Sequence, residues 1–348
     1  GTLDRRFRSS DDALDRIGPV RLLGILPGLP EDLSDPDHAK IAGHCLHHIR
    51  TMLQIESNRA GQRVFAITSP TSGTGKTSLT MALGLSFAAS GSPTLLVDCD
   101  LANGGLTRRL QAIIRRRIGQ ILERQGLITS QQLDEALRRV ETSGKRLGET
   151  LIDLGVLDEE DVAHALALQE EARVGLLDAL DGEQFDHCVV ETSTPGLSIL
   201  PIGGAKSHDM NRLSPTTVRR VIEAARHQFD TILFDSGPVP GTMEASIVAA
   251  EADEVVVIVA RGEQRPQAEK AIAFLNSIGA RVAGLVFNRA ETRDVERAVF
   301  LTNSSIGTDS NNNGQEDPSQ SQQTSDEQRL GPVVRAVADA ARGESKSE

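Results

Sequence analysis

The stretch VFAITSPTSGTGKTSL, residues 64–79, limits what this chain can fold into more than any other. An apolar run ends in a turn holding Gly73 and Gly75, and Lys76, Thr77 and Ser78 then open an amphipathic segment. A strand feeding a helix through a small-residue loop turns successive backbone N–H groups inward, and the helix N-terminus adds partial positive charge. Such a loop is built for phosphate. Ser72, Gly73, Thr74, Gly75, Lys76, Thr77 and Ser78 are its candidate contacts. In loops of this layout the lysine reaches the β and γ phosphates and the following hydroxyl binds magnesium. Pro70 stands where the strict GxxxxGK[ST] spacing places its first glycine.

The rest of the chain supplies a sheet for that loop. Apolar runs recur as VRLLGILP (20–27), VFAIT (64–68), TLLVD (94–98), LSILP (197–201), TILFD (231–235), EVVVIVA (254–260) and VAGLVFN (282–288). Continuous runs ended by turn residues and separated by helix-length segments predict an α/β fold: a mostly parallel sheet flanked by helices. Ligands of such folds sit beyond the carboxyl ends of the strands. Asp98 and Asp100 close the TLLVDCD run and Asp235 closes TILFDSGP, so three carboxylates are placed where magnesium at a triphosphate needs them. HAKIAGHCLHHIRTMLQI, 38–55, has helical spacing.

Between TLLVD and LSILP the gap is too long for one crossover, and an all-α insertion is expected over 111–172. Within it RIGQILERQGLITSQQLDEALRRV (117–140) and RLGETLIDLGVLDEEDVAHALALQ (146–169) align without a gap. Each half predicts a short helix ended by glycine, a cap at Thr129 or Asp158, and a second helix. The polar tract 301–329 has too little apolar area to order itself and is expected to be disordered, with a short helix at 330–343.

Composition excludes some functions. The chain has 348 residues, 39% hydrophobic and 25% charged, a balance of globular proteins, and its only aromatics are nine Phe. Without aromatic platforms, and at a net charge of -12, nucleic acid is not an expected partner. Three scattered cysteines and the lack of an apolar run of about 18 to 20 residues point to a reducing, cytoplasmic setting. The chain begins at Gly1 rather than methionine, and it is expected to be the cytosolic part of something longer.

TSPTSGTGKTS, LLVDCD and ILFDSGP, together with VRLLGILP, HIRTML, LSILPIGG and VFNRA in the same order, resemble the bacterial tyrosine kinases over about residues 1–110 and 173–295, within a discontinuous domain expected over 1–110 and 173–300. The resemblance implies an ATP- and magnesium-dependent P-loop kinase domain serving a membrane-embedded regulator of exopolysaccharide chain length, on the same polypeptide or a partner, and tethered at the inner face of the membrane. It implies Thr77, Asp98 and Asp235 as metal ligands. Lys76, Asp98 and Asp100 would be catalytic, Asp98 assisting deprotonation of the acceptor hydroxyl, and Asn288 would contact the base. Ala102 stands where the family has an arginine, and His44, His47 and Arg50 stand where its oligomer-forming helix carries a glutamate and two arginines. No tyrosine occurs in these 348 residues, so the chain either phosphorylates another protein or uses ATP as a conformational switch. Two alternatives share the fold: a non-catalytic ATP-dependent assembly module for a membrane export complex, and a partitioning or septum-site ATPase, although Thr71 replaces the early-loop lysine of the latter.

The inserted repeat resembles the N-terminal domain of type II secretion and type IV pilus assembly ATPases. That resemblance implies cyclic di-GMP binding through Arg117, Gly119, Gly126, Arg146, Gly148, Gly155 and Gln169. A helical adaptor that docks protein is the other reading.

Overall fold

The computed structural model describes residues 5–14, 20–27, 36–60, 63–102, 104–109, 122–123, 126–143, 145–158, 160–162, 175–192, 194–203, 212–291 and 294–295. The expected disordered tract 301–329 and the helix at 330–343 lie outside these residues, as do Arg117, Gly119 and Gln169.

The apolar runs become strands β1 (Leu22–Pro27), β2 (Val64–Thr68), β3 (Thr94–Asp98), β5 (Leu197–Leu200), β6 (Thr231–Asp235), β7 (Glu254–Ala260) and β8 (Val282–Ala290). They join one eight-stranded sheet in the order β1-β8-β7-β2-β6-β3-β5-β4. All neighbours pair in parallel except β4 (Val190–Glu191), which lies antiparallel on β5 at the edge. The mostly parallel α/β architecture is therefore as expected. Two residues are too few to show as an apolar run, so β4 left no signal.

The central strands are apolar throughout because both faces are covered. On one face Val64, Ala66, Leu95, Val97, Ile232, Phe234, Val255 and Val257 pack in a core that includes Val221 and Leu275. These two residues belong to helices Pro215–Arg226 and Arg265–Ser277. On the other face Phe65, Ile67, Leu96, Leu233 and Val256 meet Ile49, Leu53, Leu83 and Phe87, from helices Pro36–Ala60 and Lys76–Ala89. Arg50 lies within that second layer, donating to the Ser86 carbonyl at 2.8 Å with His47 Nδ1 at 2.9 Å. Its guanidinium is thus spent inside the chain rather than presented for a partner.

Between β3 and β4 the described parts of the two sequence repeats fold alike. Gly126 and Gly155 take positive φ, and the hydrogen bonds that close the turns recur 29 positions apart: Gly126 N to Glu123 O and Leu127 N to Leu122 O, then Gly155 N to Ile152 O and Val156 N to Leu151 O. Reciprocal caps follow, Thr129 with Gln132 and Asp158 with Asp161. Leu122, Ile128, Leu133, Ala136, Leu151 and Leu157 form a small core of their own. Truncating Leu151, which is fully buried there, should cost about 2–5 kcal/mol. If this cluster is an independent unit, hydrogen exchange of Leu151→Ala will speed up over residues 122–157 and leave the sheet strands protected.

Candidate nucleotide site

Strand β2 occupies the middle of the sheet, between β7 and β6, and delivers residues 69–75 to its carboxyl edge. Helix Lys76–Ala89 starts at once, and Gly75 makes the entry at φ 98°. A side chain is excluded at Gly75 twice over, since a Cβ would stand 2.4 Å from Asn288 Nδ2.

The loop is tied from outside at three places. Asn288 Nδ2 donates to the Thr74 carbonyl at 2.8 Å, and Arg289 Nη2 donates to the Gly73 carbonyl at 2.7 Å. Thr71 donates its hydroxyl proton to Glu263 Oε1, while Glu263 Oε2 accepts from the Ala260 N–H at 3.0 Å. Holding the carbonyls outward leaves the N–H groups free to face an anion. Ser72 and Gly73 are exposed, Thr77 and Ser78 half-buried, and Ser78 Oγ accepts from Arg109 at 2.8 Å.

Lys76 is buried and rests on Ser69, Nζ to Oγ 3.0 Å. Desolvation lowers its pKa, opposed by the charges of Asp235, Asp100 and Glu263, which therefore lie around it. Parallel pairing brings the strand-end acids together: Asp98 is the register partner of Asp235, and Ile67 pairs with Asp235 on the other side. Both carboxyls are buried. Asp98 accepts from the Thr107 N–H at 2.6 Å and the Asp100 N–H at 3.3 Å, and desolvation still pushes it up to about 6. Burial and then the Asp98 charge push Asp235 up to about 7, against a hydrogen bond from Thr77.

Thr77, Asp98 and Asp235, from three segments, are thus brought to one place with Lys76 and Asp100. Asp235 Oδ2 is buried without a hydrogen-bond partner, an orphaned acceptor beside a second buried carboxyl. Magnesium at a nucleotide takes one or two carboxylates and fills its remaining positions with water and phosphate oxygens, so this donor set fits it. Among the described residues no group of three or more His, Cys, Asp or Glu is arranged to hold a metal ion. Asn288, expected at the base, has its carboxamide engaged with the loop carbonyl and with the Arg289 N–H at 2.9 Å. Sequence reasoning missed Glu263, Arg289 and Thr107. The local signals were the turn-like GEQ after β7 and the arginine following Asn288.

Of the inserted-repeat candidates, Arg146 is exposed at the start of helix Leu147–Asp153, and Gly148 packs on the next helix, where a Cβ would meet Val162 Cγ1 at 2.9 Å. Gly126 and Gly155 serve the turns described above.

Raised carboxyls set a pH dependence. Asp98 and Asp235 are held above 3.8, so in the metal-free protein they contribute stability that is fully present below that value and lost as pH rises through about 6 and about 7. The melting temperature in EDTA should therefore fall across this window more steeply than that of the Asp98→Asn/Asp235→Asn variant. Magnesium with ADP should recover it at the alkaline end in the parent chain alone.

Over residues 65–302 the sequence matches the family described as CobQ/CobB/MinD/ParA nucleotide binding domain. It is 23% identical over 252 residues to the tyrosine-protein kinase CpsD of Streptococcus agalactiae, covering 72% of this chain and 85% of that protein. It is 25% identical over 256 residues to the putative tyrosine-protein kinase EpsB of Ralstonia solanacearum, covering 73% of this chain and 26% of that one. The BceF tyrosine kinase domain shares the fold, with TM-score 0.56, 21% identity, and 81% of this chain matched to 99% of that domain. Among the described residues no helix is long and apolar enough to cross a membrane. With a phosphate loop on the central strand and paired acids at the neighbouring tips, the chain belongs to the CobQ/CobB/MinD/ParA nucleotide-binding family and has bacterial tyrosine kinases among its relatives.

Proposed function

We propose that this chain is an ATP-dependent phosphotransferase or ATPase of the bacterial tyrosine kinase type that regulates exopolysaccharide synthesis or export. Its partner is a membrane-embedded chain-length regulator, and its place is the cytoplasmic face of that membrane. The single observation that carries the reading is the register pairing of Asp98 with Asp235 beside the loop of Lys76.

Thr77, Asp98 and Asp235 would hold magnesium, which supplies charge neutralisation at the triphosphate when bound. The loop N–H groups and the helix N-terminus bind the phosphate oxygens. Lys76, desolvated and ringed by carboxylates, carries positive charge to the β and γ phosphates. Asp98 accepts the proton of an acceptor hydroxyl as the acceptor oxygen bonds to the γ phosphorus, and the bond to the bridging oxygen breaks to leave ADP. Before magnesium binds, burial holds the Asp98 carboxyl up at about 6, above the range of a free aspartate. Asp100, whose charge also acts on Lys76, helps hold that cation in the site. With no tyrosine in these 348 residues, the acceptor is a hydroxyl other than a tyrosine of this stretch, or water.

Phosphate release from ATP by the purified chain, with and without its membrane partner, tests this. Lys76→Ala and Asp98→Asn should each lower kcat by about 10²-fold or more. ATP binding by the parent chain with no phosphate release, alone or with its partner, would favour the non-catalytic assembly module.

For the inserted repeat, treated as a domain over 111–172, cyclic di-GMP is the proposed effector. Support comes from the resemblance of its motifs and from the exposed Arg146, whose planar guanidinium suits guanine and phosphate edges. Titration calorimetry should register binding that Arg146→Ala weakens by about tenfold or more.

A further inference from the structure

Both ends of the segment that interrupts the nucleotide domain are anchored at one point beside Asp98. On the entry side, the helical turn 105–109 follows directly on the Asp98–Asp100 motif. Within it Thr107 makes three bonds. Its N–H donates to Asp98 Oδ2 at 2.6 Å, its hydroxyl also hydrogen-bonds the Asp98 carboxylate, and its hydroxyl oxygen accepts from the Ile202 N–H at 3.1 Å. The same turn touches the phosphate-loop helix, through Arg109 on Ser78 and through Gly105, where a Cβ would stand 3.1 Å from Thr77 Oγ1.

On the exit side, Leu176 N donates to the Pro201 carbonyl at 2.7 Å and Leu177 N to the Ile202 carbonyl at 3.1 Å. Gly175 is pressed so closely on this segment that a Cβ would stand 2.3 Å from the Pro201 oxygen. Ile202 therefore takes the exit on its carbonyl and the entry on its N–H. One residue bridges the two.

We propose that Thr107 is a positioning residue for Asp98 and the link through which the inserted repeat and the nucleotide site sense each other. This rests on the reading of Asp98 as a nucleotide-site carboxylate. Two hydrogen bonds from one residue fix the plane of a carboxyl, so a shift of the 105–109 turn reorients Asp98, and occupation of the site in turn pulls on Ile202 and the exit of the repeat. Reciprocity of this kind is required of any two sites that share a bistable element. Thr107 acts only through Asp98, which separates it from the catalytic groups.

The test is hydrogen exchange of the full chain with and without magnesium and a non-hydrolysable ATP analogue, alongside phosphate release. In the parent chain the nucleotide should slow exchange over 69–78 and also at 175–177 and 200–203. Thr107→Val keeps the shape and loses the hydroxyl. It should retain the slowing over 69–78, lose it at 175–177 and 200–203, and lower kcat by about tenfold with KM for ATP little changed. Thr107→Ser should restore both readouts, and Thr107→Ala serves the same arms should the valine not be accommodated. Persistence of the remote response in the valine or alanine variant overturns the link, as does failure of serine to restore it. Absence of any slowing over 69–78 in the parent chain instead removes the nucleotide reading, and this inference falls with it.

Discussion

Two carboxyl groups buried side by side at the tips of β3 and β6 are the constraint on which this molecule turns. Parallel pairing makes the contact unavoidable. Once β3 and β6 run in the same direction with Thr94 opposite Thr231, Asp98 must come level with Asp235. Apolar walls on both faces then remove the water that would otherwise screen them. Like charges in such surroundings resist ionisation, and a cation is the natural remedy. Lys76 supplies part of it, but Asp235 Oδ2 is left with no hydrogen-bond donor, so the fold holds a site that is electrostatically incomplete without a ligand.

The scaffold around that pair divides into parts that hold it and parts that report on it. The phosphate loop is gripped by Glu263 after β7 and by Asn288 and Arg289 at the end of β8. The turn after β7 is itself paired with the amino-terminal segment, where Gly262 N bonds the Phe7 carbonyl at 2.8 Å and Phe7 packs edge-on against Phe287. Of the two acids, Asp98 is gripped by Thr107. Contacts on both flanks bind a short stretch of the sheet's carboxyl edge to segments distant in the chain.

The fold was largely legible because its strands are buried on two faces and so read as unbroken apolar runs; β2, β3, β6 and β7 have the limits those runs suggest. The repeat was legible for another reason. Its glycine turns and caps are local chemistry, readable within a few residues, and they recur at a fixed interval. Asp98 and Asp235 stood out as acids at the ends of strands, and Lys76 as the lysine that follows the glycine loop. What stayed hidden depends on contacts remote in sequence. Glu263 meets Thr71 across 192 positions and Arg289 meets Gly73 across 216, distances over which no periodicity carries information. Asn288 was noticed for its type, yet its position against the Thr74 carbonyl follows from where β8 ends, which composition does not reveal.

The outward-tied carbonyls of Gly73 and Thr74 have a thermodynamic corollary. A glycine-containing loop that had to be ordered by its guest would forfeit about 1–2 kcal/mol of backbone freedom for each residue fixed on binding. Here that loss is incurred when the chain folds, because β8 already dictates the curvature. Affinity is thereby partly stored in the side chains that shape the loop, which leaves less freedom to be lost when a nucleotide binds.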